Sequence, residues 1–519
     1  MNYIRKNHKM NLIVPVFLMM FSIGLFAQNY LSGQIIVDPN RPQWLKYHGG
    51  GPFFMCGPGD PEGFLYRGNR NPDGTRNGDQ LTLINKLVGT NANCIYLMAI
   101  RSHGGDGELD ENPFINSDPI QGLDYDILDQ WETWFTAMDE NEIVIYFFFY
   151  DDNASIWNTG DVVESDEKNF IHTIVNYFEH HKHLIWCVAE EYEEKFSPSR
   201  ASKIAGEIKA ADDYEHVVAI HKLEGIDFSE FASDPNVDQF AIQFDAESPE
   251  GYHQGMLNAW GDANGRYNLN FSEGHPDIFG ADARKRAWAV AMGGAYVMHL
   301  GWDIQRNSIT ELQDCGRLRK FFELTNFNKM APHDQLKFGA TKYVLAFPDS
   351  SYILYTDFSG KIGIQNIDEG LYNFLWFDPV DGDQEVVTNV HLSEGDNLFT
   401  RPTKIGDEVA LFLSRGNIPV SVLDNSSSSI QDNFRLQQNY PNPFNPVTYI
   451  KFFLKESTQV SLSVYDTLGR EVDTIYNNDW LPGGDYEVSF NGSQLESGIY
   501  FYHFDTKFAS ESRKMVLLR

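Results

Sequence analysis

Cysteine is scarce in this chain, with four among 519 residues. Cys56, Cys94 and Cys187 fall inside apolar runs that read as strands, and Cys315 stands apart. Buried thiols of this kind are ordinary core residues. Their spacings specify no disulfide framework, and no Cys/His cluster of metal-binding spacing is present, so neither a metal nor a cofactor is expected. Positive charge is also short: 40 Lys and Arg face 73 Asp and Glu, a formal net charge of −33. Such a chain repels polyanions, which excludes DNA and RNA as expected partners. No G-x-G-x-x-G follows a strand-like run, which removes the main sign of a doubly wound nucleotide-binding sheet. No short repeat of solenoid type is found.

Long apolar runs are missing too, except at the start. Arg5, Lys6 and Lys9 precede an apolar stretch from Leu12 to Phe26, and Ala27 is a small residue suited to cleavage. This reads as a secretory signal over residues 1–27, too short for a spanning helix. No transmembrane segment is expected after its removal.

What is present is a strand-helix alternation over about 290 residues, the usual size of a (β/α)8 barrel. Eight apolar runs are expected as strands: Pro52–Cys56, Asn93–Ile100, Ile143–Tyr150, Leu184–Ala189, His216–Ile220, Gln239–Phe244, Asn268–Phe271 and Ala295–Leu300. They are nearly continuous, as parallel strands covered on both faces require. Between them lie segments with apolar residues at helical spacing, such as Asp126–Phe135 and Ala281–Met292. The expected fold class is therefore α/β: a TIM barrel over 35–333, followed by two all-β sandwich domains. The first sandwich spans 334–416 and carries Tyr343–Phe347, Ser351–Thr356 and Asn373–Asp378 as short strands. A linker with a serine run (Ser426 to Ser429) covers 417–432, and a second all-β unit covers 433–519.

Active sites of such barrels sit at the C-terminal ends of the strands. Two runs end in glutamate: Leu184-Ile185-Trp186-Cys187-Val188-Ala189-Glu190-Glu191, and Asn268-Leu269-Asn270-Phe271-Ser272-Glu273. Carboxyl groups on two strands supply what glycosidic hydrolysis needs, a proton donor and a nucleophile or base. Aromatics reach 14%, with 10 Trp and 25 Tyr, and aromatic faces stack on sugars. Glu191 and Glu273 are the expected catalytic pair. Asp60, Arg101, Asp151, Glu190, Tyr192, His221, Gln243, Trp302 and Asp303 are the expected substrate contacts, all near strand ends. Trp157, Trp302 and Tyr192 are candidate sugar platforms. The loop Asp106-Gly107-Glu108-Leu109-Asp110-Glu111-Asn112 partly mimics a calcium loop, but an acidic loop on an acidic protein is the favoured reading.

The segment Ile185 to Glu191 resembles the acid/base segment of clan A glycoside hydrolases, and Phe271-Ser272-Glu273-Gly274 resembles their nucleophile segment. Glu190 stands where that clan has Asn. Residues 40–330 are similar to the apiosidase-like catalytic family, through Gly51-Pro52-Phe53-Phe54 and Arg284, Arg286-Ala287-Trp288 and Gly293-Gly294. Phe374-Leu375-Trp376-Phe377-Asp378-Pro379-Val380-Asp381-Gly382, with Phe399-Thr400-Arg401-Pro402, resembles the collagen-binding-type sandwich that follows those barrels; bracing of the barrel is the favoured role. Leu436-Gln437-Gln438-Asn439-Tyr440-Pro441-Asn442-Pro443-Phe444-Asn445-Pro446, with Ser497-Gly498-Ile499-Tyr500 and Lys514-Met515-Val516, resembles a type IX secretion sorting domain. These resemblances imply a secreted or surface-attached glycoside hydrolase, retaining in outcome, with a plant or algal carbohydrate as substrate and the type IX machinery as partner. The rival expectation is a surface adhesin with an inactive barrel.

Overall fold

The computed structural model describes residues 29–59, 63–223, 225–274, 278–298, 304–418, 434–455, 457–466, 470–506 and 510–518. The expected signal segment and nearly all of the expected linker lie outside these.

Eight parallel strands form one sheet: β1 (Cys56–Gly57), β2 (Cys94–Met98), β3 (Val144–Tyr150), β4 (Leu184–Ala189), β5 (Val217–Lys222), β6 (Gln239–Gln243), β7 (Asn268–Glu273) and β8 (Ala295–Met298). Pairing runs in sequence order from β2 to β8, and β8 then pairs with β1. The ring closes through Asn93. Its backbone N–H donates to Cys56 O at 3.0 Å, its Oδ1 accepts from Cys56 N at 2.8 Å, and its Nδ2 donates to Phe54 O at 3.0 Å. A fully buried amide thus stands in for the ladder that the two-residue β1 is too short to make.

Helices cover the outside: α1 (Gln80–Val88), α2 (Tyr125–Glu140), α3 (Ser165–Phe178), α4 (Pro198–Ala211), α5 (Pro249–Ala263), α6 (Gly280–Met292) and α7 (Ile309–Glu323). In α2 the buried residues are Ile127, Leu128, Trp131, Trp134, Phe135 and Met138, the stripe expected of a helix resting on a sheet. α7 starts with a capping box between Ser308 and Glu311. One expected helix is replaced. Between β5 and β6 the described residues hold only a single 3-10 turn, Ser229–Phe231. That connection carries Gly225, Asp227, Asp234 and Pro235, residues that favour turns over a helix.

The next unit stacks a six-stranded antiparallel sheet on a three-stranded one. Its central strands bury both faces, and the side chains sort by parity. Tyr343, Leu345, Ile353, Tyr355, Leu375, Phe377, Ala410 and Phe412 join the barrel's core. Val344, Tyr352, Leu354, Phe374, Trp376 and Leu411 fill the space between the two sheets. Trp288 of α6 stacks on Tyr355 with ring centroids 5.0 Å apart and planes 7° apart. Arg284 of α6 pairs with Asp314 of α7 at 3.1 Å and Glu408 of the sandwich at 2.9 Å. The sandwich therefore braces α6. The C-terminal unit is a separate pair of antiparallel sheets, of three and four strands, with a core of its own.

Candidate active site

Strands β4, β5, β6 and β7 carry the polar side chains to one end of the barrel. Glu190 follows β4 and continues its pairing, since its N–H donates to Tyr150 O at 3.0 Å. The next residue, Glu191, turns sharply into left-handed backbone with φ 37°. For a residue with a Cβ that conformation costs on the order of 1–2 kcal/mol. It is held by a specific contact: the Glu191 N–H donates to His221 Nδ1 at 2.9 Å.

His221 sits on β5 with no solvent exposure, its ring edge-on to Tyr96 and Phe148. Burial pushes its pKa down to about 3, so the ring is neutral at any ordinary pH. Because Nδ1 accepts, the proton is on Nε2. Nε2 has no hydrogen-bond partner and lies 3.9 Å from Glu273 Oε2. One neutral imidazole thus holds the backbone of one strand-end glutamate and turns its other nitrogen toward the carboxylate of the second, short of hydrogen-bond contact. Gln243, at the end of β6, stands across the ladder from Glu273 and hydrogen-bonds the Glu191 side chain.

Electrostatics single out Glu191. Glu191 is raised to about 7, first by burial and then by Glu194, Asp152 and Glu193, against the opposing hydrogen bond from Gln243. It therefore holds its proton near neutrality. Glu273 is partly open, with 18% of its side chain exposed, and faces a hydrogen-bond donor.

Beneath them is a second pair of acids. Glu190 is nearly buried and accepts from Tyr96 Oη at 2.6 Å. Its side chain also hydrogen-bonds Asp151, which burial raises to about 8. Asp151 is reached by Arg101 Nε at 3.3 Å, while Arg101 also pairs with Glu111 at 2.8 Å and with Asp106. The chain Tyr96–Glu190–Asp151–Arg101 runs from the barrel interior to its rim.

Arg101, expected as a substrate clamp, is engaged by three carboxylates instead. The acidic loop's alternating charges serve arginines, because Asp110 pairs with Arg76 at 2.9 Å. Tyr192, expected as a sugar platform, presents no free face. It is 1% exposed, packs on Phe231 and donates to Glu230 Oε1 at 2.6 Å. The left-handed turn at Glu191 swings the following residue inward. Trp157 lies partly buried against Phe114 and Phe170. Asp60, Trp302 and Asp303 lie outside the described residues. Glu190, Glu191, His221, Gln243, Glu273 and Asp151 come together as expected. Tyr96 was not foreseen, because inside an apolar strand nothing distinguishes a tyrosine that points at a carboxylate from one that packs.

Comparison with known proteins places these observations in a wider setting. Residues 438–518 match the secretion system C-terminal sorting domain. The chain therefore carries a type IX export signal and is delivered to the outer surface or the medium. No curated protein matches in sequence. Among solved structures, one described as a glycoside hydrolase matches with a TM-score of 0.56 at 13% identity, over 74% of this chain and 97% of that one. A glycoside hydrolase family 5 protein from Bacteroides vulgatus matches with a TM-score of 0.54 at 13% identity, over 74% of this chain and 94% of that one. At that identity the shared property is the fold: a TIM barrel with a β-sandwich after it.

Proposed function

We propose that this chain is an exported glycoside hydrolase of retaining type, with Glu191 as acid/base and Glu273 as nucleophile. The observation that carries the reading is the approach of two strand-end glutamates to His221, one raised to about 7 and the other 3.9 Å from the neutral ring's Nε2. A carboxyl raised toward neutrality near a second strand-end carboxyl suits a general acid. The kinship in fold with proteins described as glycoside hydrolases supports the same reading.

In the first step a Glu273 oxygen attacks the anomeric carbon while the Glu191 proton passes to the departing oxygen. In the second, ionised Glu191 takes a proton from water, the water oxygen attacks the same carbon, and Glu273 is released. Two displacements on one carbon restore its configuration. His221 positions the acid/base: Nδ1 fixes the Glu191 turn, and Nε2 lies 3.9 Å from the nucleophile's carboxylate. With Arg101 engaged by carboxylates, the site favours an uncharged sugar, and plant or algal polysaccharides or their oligosaccharides are the substrate class proposed.

The test is a screen of the exported chain against such glycans, with the first-formed anomer of the product read by NMR. Release of the inverted anomer would refute retention, and no release from any glycan would refute the activity. The pH profile follows from the same geometry. Glu191 must be protonated to act, so kcat/KM is expected to fall about ten-fold per pH unit above a break near 7. A plateau extending past pH 9 would show that Glu191 is not the acid.

A further inference from the structure

On the outside of the barrel, away from the strand ends that carry the glutamates, three side chains converge. Glu132 projects from α2, and His180 and His181 follow the C-terminus of α3, just before β4 begins. His180 Nε2 lies 3.0 Å from Glu132 Oε1, and His181 Nε2 lies 2.9 Å from Glu132 Oε2. The three ligating atoms all fall within 4.8 Å of one another. Consecutive histidines rarely aim both Nε2 atoms at one point. Here they do, with ring centroids 4.2 Å apart.

We propose that Glu132, His180 and His181 form a structural site for a zinc-class divalent cation that clips α2 to the turn between α3 and β4. Two imidazoles and one carboxylate are the donor set that Zn2+ takes, with water or the second carboxylate oxygen completing four ligands. Tetrahedral ligands at ordinary Zn–N and Zn–O lengths sit about 3.3 Å apart. The gaps of 2.9 and 3.0 Å, each to a different oxygen of Glu132, need open by a few tenths of an ångström, and the ligating atoms lie within 4.8 Å of one another.

The frame around the site is built. His181 is 3% exposed, and its ring lies edge-on to Phe135 of α2. Its carbonyl accepts from His216 Nε2 at 2.9 Å, and the other nitrogen of that buried ring is held by Asp212 at 3.0 Å. These contacts anchor the backbone at His181, and the Phe135 ring limits the imidazole's freedom. His180 is 51% exposed, which leaves a way in. A chain of net charge −33 draws cations toward it. The site lies by the N-terminal ends of the strands, where barrels carry stability rather than chemistry.

The experiment is equilibrium dialysis of the untagged chain, first stripped with chelator, against micromolar Zn2+. It is run beside His180→Ala and Glu132→Gln and paired with thermal melts. The expected result is one tightly held equivalent in the parent, affinity at least about ten-fold weaker in either variant, and a Tm that Zn2+ raises in the parent alone. Because His180 is half-exposed, its variant should fold. Zn2+ uptake that both variants retain at parental affinity would overturn the site, as would a parent that takes up none. Binding without any rise in Tm would overturn the structural role.

Discussion

Glu273→Gln is expected to lower kcat/KM by about 10⁴-fold or more while leaving the fold intact. The substitution keeps size and shape and removes only the attacking oxygen's charge. The amide still reaches toward His221 Nε2, so binding should change little and the loss should appear in kcat. Glu191→Gln should behave differently. It removes a proton donor, worth about 10²–10⁴ on substrates with poor leaving groups. On an aryl glycoside whose leaving group needs no proton, the first step should survive and the glycosyl-enzyme should accumulate. Steady-state kinetics of both variants on a natural glycan and an activated aryl glycoside separate the roles. Equal losses on both substrates for Glu191→Gln would refute its assignment as acid. If Glu190→Gln, rather than Glu191→Gln, showed the leaving-group dependence, the two neighbours would have exchanged roles.

Removing the sandwich, residues 334–416, is expected to leave the barrel unfolded or aggregated. Eight sandwich side chains, including Tyr343, Tyr355 and Phe377, belong to the same buried cluster as the barrel. Each large apolar side chain contributes about 1.5–3 kcal/mol when buried. Summed over the seven large ones, Ala410 aside, this is on the order of the 5–15 kcal/mol that separates folded from unfolded domains. Deletion would also bare Trp288 and leave Arg284 without Glu408. Trp288→Ala alone should cost about 3–5 kcal/mol, read as a lowered denaturation midpoint. Cutting the chain before residue 434 should spare the barrel, because the C-terminal unit has its own core. A soluble barrel without the sandwich, melting cooperatively at the parent's Tm, would contradict the bracing role. It would also return weight to an independent binding module.

The legible part of the fold was local. Val144 to Tyr150 reads as a strand because seven apolar or aromatic residues stand in a row, and all seven are buried. The α2 stripe reads as a helix for the same kind of reason. The failures were also local in origin. The β5–β6 connection was counted as a strand-helix unit, although its Gly, Pro and Asp residues support only a 3-10 turn. Distance along the chain from β4 points to Tyr192 as a site residue. A single left-handed residue reversed its direction, and no periodicity reports such a reversal.

By itself the sequence determined the strand runs, the helices around Asp126–Phe135 and Ala281–Met292, the acidic balance, the export domain and the two glutamates at strand ends. These depend on spacing within a dozen residues, which side-chain patterning records directly. Tertiary structure alone decided which charges meet. It joined Glu191 to His221, brought His221 near Glu273, buried Glu190 beside Asp151 and occupied Arg101 with acids. It also brought Glu132 to His180 and His181 from 48 and 49 residues away. Proton affinity and ligand geometry depend on distances of a few ångströms and on exclusion of water. Those quantities exist only once the barrel has closed.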